Sequence, residues 1–177
     1  MVLTHYGSSM RPEILMDEAL SIIEHLAKRF SKNDKLILFY SGMSGTASAS
    51  ALVTLNAFLK KRDDINLPVI SGMVYVRKKD EDSHGNKIEV SIVENFDNTD
   101  RLIPIFIDDF VCYGRTFLYV KKQVAKFVKK NNGLFSGSEH LDNCEKFFNK
   151  LSRKKNWWIA EVDRKTLKHA SKVATYA

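Results

Sequence analysis

Cysteine and proline are scarce in this chain, and long apolar runs are missing. Only two cysteines, Cys112 and Cys144, occur in 177 residues. They form no metal-ligand spacing, so a reduced compartment and a core held by apolar burial are expected. No stretch approaches the roughly 20 consecutive apolar residues of a membrane-spanning helix, and no membrane partner is expected. The first residues, Met1 to Tyr6, lack a basic segment leading into an apolar run. No secretion signal is therefore read, and a cytoplasmic location is expected. Internal repeats and low-complexity segments are also missing.

What remains is ordinary for a globular protein: 44% hydrophobic and 28% charged residues. A chain of this length is most simply a single domain spanning residues 1–177, with a core over about 11–130 and a variable part over 131–177. Its formal net charge of +7 is uneven, because residues 121–177 carry 14 Lys and Arg against 5 Asp and Glu. Lys121, Lys122, Lys126, Lys129 and Lys130 read as the solvated face of one helix. Lys154 and Lys155 beside Trp157 and Trp158 also fit a base-stacking surface, so nucleic acid stays open as a partner.

Along the chain, Pro12 suits a first helical turn, and Ile14, Leu15, Ala19, Ile22, Ile23, Leu26 and Phe30 recur at helical spacing. Leu36 to Tyr40 is short and apolar, the pattern of a buried strand. It leads into Ser41-Gly42-Met43-Ser44-Gly45-Thr46 and then a small-residue helix over Ala47 to Leu59. A second strand is expected from about Pro68 to Val76. A charged excursion from Arg77 to Asn86 follows, with a returning strand over Lys87 to Val93. Phe117 to Lys130 reads as a helix, Leu141 to Leu151 as another, and Trp157 to Val162 as a strand. Strands alternating with helices imply an α/β fold with a mainly parallel twisted sheet flanked by helices.

The segment from Leu102 to Thr116 carries most of the chemistry. Leu102 to Ile107 is continuously apolar, as suits a strand covered on both faces, and it ends on Asp108 and Asp109. Those carboxylates then fall at the carboxyl end of a strand, where open α/β sheets bind ligands. Gly114-Arg115-Thr116 opens the next helix, whose free amides and dipole suit a phosphate. Carboxylates beside a phosphate cradle point to a sugar phosphate with Mg²⁺. The plainer alternative is that two aspartates simply open a solvated loop. Ser41 to Gly45 lies at the end of another strand, where glycines let backbone N–H groups turn towards an anion. It is not a nucleoside-triphosphate P-loop, because Gly45 is not followed by Lys and a hydroxyl residue.

This arrangement resembles the type I phosphoribosyltransferases, in which a strand ending in two acids precedes a phosphate-binding turn. Asp108, Asp109, Gly114 and Thr116 match that pattern. The resemblance implies that residues 112–116 (Cys112, Tyr113, Gly114, Arg115 and Thr116) bind the 5′-phosphate of phosphoribosyl pyrophosphate (PRPP). It also implies that Asp108 and Asp109 contact the ribose hydroxyls or Mg²⁺, directly or through water. Ser41, Gly42, Met43, Ser44 and Gly45 occupy the place of the pyrophosphate loop. Arg77, Lys78 and His84-Gly85 resemble the mobile loop of orotate phosphoribosyltransferases, which implies that Arg77 and Lys78 grip pyrophosphate and His84 contacts it or shuttles a proton. The three loops follow the family's order across residues 36–120.

Two positions depart from the pattern. Cys112 stands where purine-specific relatives often carry an acid or base, which favours a pyrimidine-type or unusual acceptor. Tyr113 replaces a small hydroxyl residue. The expected activity is transfer of a phosphoribosyl group from PRPP to a nucleobase-like acceptor; the resemblance also implies a homodimer, the state its members commonly adopt. The alternative on the same fold is a non-catalytic binder of PRPP or a nucleotide that touches nucleic acid.

Overall fold

The structure is a computed structural model describing residues 11–62, 66–78, 81, 87–92, 101–109, 111–130 and 156–172. His84, Phe110, Cys144, Lys154, Lys155 and the expected helix over Leu141 to Leu151 lie outside the described residues.

Helix α1 (Pro12–Arg29) begins on its proline and ends on Lys28 and Arg29, which complement the negative end of the helix dipole. It leads into β1 (Asp34–Tyr40), α2 (Gly42–Leu59) and β2 (Val69–Val76). The chain continues through β3 (Ile88–Ile92), β4 (Arg101–Asp108) and α3 (Arg115–Lys130), and then β5 (Trp158–Glu161) and β6 (Thr166–His169). The six strands form one sheet in the order β3-β2-β1-β4-β5-β6. Its centre is parallel, and both edge pairings are antiparallel, so the sheet is mixed. Each edge is a local return: β3 folds back on β2 after the charged excursion, and β6 folds back on β5 across a tight turn. The sheet thus draws strands from beyond residue 130, and β5 pairs directly with β4.

The continuous apolar runs are explained by burial on both faces, since alternate strand residues point opposite ways. Leu36, Leu38, Ile105 and Ile107 pack under α1 and α2, with Ile22, Leu26 and Leu52. Ile37, Phe39, Leu102 and Phe106 pack on the other face under α3, with Phe117, Val120 and Val124. Pro104 is tolerated inside β4 because the β5 pairing starts only at Ile105, so its missing N–H interrupts no two-sided ladder. Asn56 fixes α2 to the start of β2, donating to the Pro68 carbonyl and accepting from Ile70 N–H. Among the described residues no helix is long and apolar enough to cross a membrane.

At the amino ends of β1 and β4, the buried Asp34 carboxylate accepts from Ser31 N–H at 2.8 Å and from Arg101 Nη2 at 2.8 Å. Burial alone would raise its pKa, but the Arg101 and Ser31 hydrogen bonds hold it below the usual carboxylate range. Its contribution to stability is therefore present above the ordinary carboxylate pKa and is lost as the pH falls below it. Arg101→Gln should cost about 1–3 kcal/mol at neutral pH, lowering the melting temperature by about 2–4 °C per kcal/mol for a domain of this size. The gap between variant and parent should shrink in acid. A loss that is constant from pH 3 to 7 would show the pair to be irrelevant.

Candidate active site

Strand order determines where a ligand fits. From β1 the chain crosses by α2 to β2 on one side, whereas β4 lies on the other side of β1. Connections therefore diverge at the carboxyl ends of β1 and β4, and open α/β sheets bind ligands in the crevice left by such a divergence. A cavity of about 320 Å³ lies there. Ser41 and Ser44 line it from the start of α2, Asp108 and Asp109 from the end of β4, and Cys112 to Thr116 from the turn before α3. Lys78, just beyond β2, completes the polar lining.

Three features make the start of α2 an anion-facing surface. No acidic residue occupies its first turn, and Ser41 at the N-cap makes no side-chain cap hydrogen bond. Ser41 Oγ is buried with no hydrogen-bond partner among the described residues. Its hydroxyl thus has no partner among them, and the first amides of the helix have none within the helix. Gly42 is required by the backbone, with φ +71°, and a methyl group there would lie 2.7 Å from Lys78 Nζ. The ammonium accordingly hangs directly over the helix start. At Gly45 the reason is proximity: an added Cβ would meet Tyr40 Cβ at 3.3 Å and the Ile107 carbonyl at 3.4 Å. That absence lets α2 close onto the ends of β1 and β4.

The opposite wall is built in the same way. Gly114 adopts φ +68°, and its carbonyl accepts the first α3 hydrogen bond from Leu118 N–H at 2.8 Å. The amides of the first α3 turn have no partner within the helix. The Arg115 guanidinium lies 5.7 Å from the exposed Tyr113 ring. Carbonyls of Asp108 and Asp109 accept from Val162 and Asp163 N–H at 3.0 and 2.9 Å, tying this rim to the end of β5.

Asp108 is the electrostatic centre. Only 8% exposed, it accepts from Ser44 Oγ at 3.3 Å and from Asp109 N–H at 3.1 Å. Burial, then the hydrogen bond to the Asp109 side chain and its charge, push the Asp108 pKa up to about 7. A buried carboxyl so displaced inside a crevice is the kind of group that active sites use. Among the described residues no cluster of three or more His, Cys, Asp or Glu is placed to hold a metal ion. Asp108 and Asp109 are the two carboxyls that would hold Mg²⁺ were it to bind here together with substrate phosphates.

Other residues fall elsewhere. Arg77 does not line the cavity: its guanidinium pairs with Glu89 across the β2–β3 hairpin and lies 5.8 Å from the Tyr75 ring. Its carbonyl accepts from Tyr119 Oη at 2.9 Å, which pins the loop base to α3. Of the neighbouring acids, Glu81 binds Tyr75 Oη at 2.8 Å and Lys78 N–H at 3.1 Å rather than the Lys78 ammonium. Met43 is 66% exposed and points away from the lining. Trp157 is buried against Phe39 and Phe117, so it offers no stacking surface. Phe106 and Val111 line the cavity without having been singled out by sequence. Phe106 stands two positions before Asp108, so strand alternation puts both on one face.

No protein-family model, curated protein or solved structure matches the chain.

Two substitutions test this geometry. The folded state holds the Asp108 proton up to about pH 7, whereas the unfolded chain releases it near pH 4. Ionisation therefore costs stability as the pH rises through that interval, and the full cost applies above it. Asp108→Asn should stabilise the fold by about 2–4 kcal/mol at pH 8 and by much less at pH 4, as read from denaturant unfolding. Equal destabilisation at both pH values would refute the burial argument. Gly42→Ala should cost roughly 1–2 kcal/mol from its left-handed backbone and displace Lys78 from the cavity, seen as a shifted Lys78 ammonium resonance.

Proposed function

We propose that the chain binds PRPP in the crevice between β1 and β4 and transfers its phosphoribosyl group to a nucleobase-like acceptor, releasing pyrophosphate. The observation that carries this reading is the shared cavity. It combines two carboxylates, a helix start with an unsatisfied buried hydroxyl, a lysine and a glycine turn opening a second helix.

On this reading the 5′-phosphate sits on residues 112–116, held by the first amides of α3 and by Arg115. Asp108 and Asp109 orient the ribose hydroxyls. Pyrophosphate lies on Ser41 to Gly45 with Lys78 above it. Asp108 and Asp109 would hold Mg²⁺, which would supply charge neutralisation. In the reaction, the bond from C1′ to the pyrophosphate oxygen breaks and its electron pair leaves with pyrophosphate. A ring nitrogen of the acceptor bonds to C1′ and releases its proton to solvent water. The chain's own share is positioning and electrostatics: Lys78 faces the charge that grows on the departing group, and the enclosed carboxyls face the sugar where positive charge develops. Lys78 takes the pyrophosphate role in this arrangement, because Arg77 is committed to Glu89.

A second reading is a non-catalytic binder of PRPP or a nucleotide. The Arg77–Glu89 pair and the 54% exposed Tyr113 at the phosphate turn favour it. One assay separates the two: pyrophosphate release from PRPP and Mg²⁺ with a panel of pyrimidine and purine bases. Release with at least one base is expected, and Lys78→Gln should lower kcat/KM by about 10²-fold. PRPP binding by calorimetry without release would favour the binder, and neither binding nor release would contradict both readings.

A further inference from the structure

The amino rim of the sheet holds a second cleft. Its cavity is about 400 Å³, within the range of roughly 300–1,000 Å³ typical of small-ligand sites. Arg29, Arg101, Asn156, Trp158 and His169 supply its polar and aromatic lining, and among the described residues no carboxylate lines it. It lies at the opposite end of β4 from Asp108, about 20 Å away by strand rise.

Its donors are set out for an anion. The Arg29 guanidinium lies over the Trp158 ring at 4.7 Å and makes no ion pair among the described residues. A guanidinium covered on one face by an aromatic ring is held flat, with its N–H edges still open to a planar or tetrahedral anion. Phe30 and His169 meet the same indole edge-on at 5.4 and 5.3 Å, so the ring is fixed from three sides. Arg101 gives Nε and one Nη2 proton to Asp34, and its remaining N–H groups are free of that pair. Asp34 is only 2% exposed, so its charge is spent behind Arg101 rather than presented to the cleft. His169 Nδ1 meets Ser171 Oγ at 2.6 Å and Ser171 N–H at 3.3 Å, and a ring that accepts there carries its proton on Nε2, a further donor. Asn156 adds an amide.

We infer that this cleft is a second ligand site, taking a small molecule through its phosphoryl group by Arg29, Arg101 and His169. It is separate from the Asp108 crevice: among the described residues the two cavities share no lining residue, and none of those lining this one is a carboxylate that could orient a sugar or a metal. Two guanidiniums, of which Arg29 has no counter-charge among the described residues, stand next to an imidazole and an amide and match a phosphoryl dianion better than a neutral or cationic ligand. The β4 strand carries Arg101 on its first residue and Asp108 on its last.

Arg29→Gln is the informative variant, because Arg29 is exposed at the end of α1 and pairs with no buried acid. Arg101→Gln would confuse binding with the loss of Asp34's partner. Titration of the protein with inorganic pyrophosphate and with AMP, followed by amide and indole NMR, should shift Arg29, Phe30, Arg101 and the Trp158 indole in one saturable process. Arg29→Gln should weaken that process at least about tenfold, whereas Lys78→Gln should leave it unchanged. A larger response to AMP would assign the ligand as a nucleotide, and an equal one would assign the phosphoryl group alone. The inference is overturned if these resonances stay still at millimolar probe, if Arg29→Gln has no effect, or if chloride at matched ionic strength reproduces the shifts.

Discussion

Burying a carboxyl costs free energy, and this fold does so at Asp108, beside a second acid, where two strands end. An isolated ionised carboxylate in such a place is too expensive to keep. The group therefore holds its proton up to about pH 7 or finds a positive partner. Much of the surrounding structure is consistent with that constraint. Ser44 and the Asp109 amide supply hydrogen bonds to it. The lysine at the crevice approaches α2 rather than neutralising the carboxyl directly. A positively charged ligand, or a phosphate accompanied by a cation, would offset the cost of ionising that carboxyl. An asparagine would be the more stable choice at neutral pH, so the stability of the fold does not explain the acid.

Sheet topology and local chemistry converge at the same point. The chain leaves β1 towards one flank, and β4 lies on the other, so the helices that follow these strands cover opposite faces. Both helices start at the shared rim with a glycine in the left-handed region just before or at the first turn. Each presents unsatisfied amides to the space between them. The crevice is thus the meeting place of two positive helix ends and two carboxylates, a pattern suited to a ligand carrying both phosphate and hydroxyl groups.

Much of this was legible in the residues because local and global preferences agree. The run before Asp108 reads as a strand since both its faces are covered, and α1 and α3 show their buried stripes at helical spacing. Lys78, Asp108, Gly114 and Thr116 fall in one cavity because each lies within a few residues of a strand or helix end at the same rim. Arg77 was not legible. Its partner Glu89 sits across a hairpin whose register depends on how many residues the charged excursion contains. The Asp34–Arg101 pair was equally hidden, since 67 residues separate its members. The two tryptophans separate because neighbouring residues on an extended chain face opposite ways. Trp157 enters the core beside Phe39, while Trp158 emerges under Arg29. The β6 edge also escaped pattern reading, because its four residues do not reveal the direction of their neighbour, whereas the return of β3 was legible from the charged excursion before it.

The proposed chemistry and the topology come together in the protonation of one carboxyl. The direct measurement is a pH titration of the Asp108 side-chain carbon by carbon-13 NMR, in the free protein and with PRPP and Mg²⁺. The account predicts a midpoint near pH 7 in the free protein and a clear fall once ligand and cation are present. A midpoint near pH 4, as for an ordinary exposed aspartate, unchanged by ligand, would contradict it.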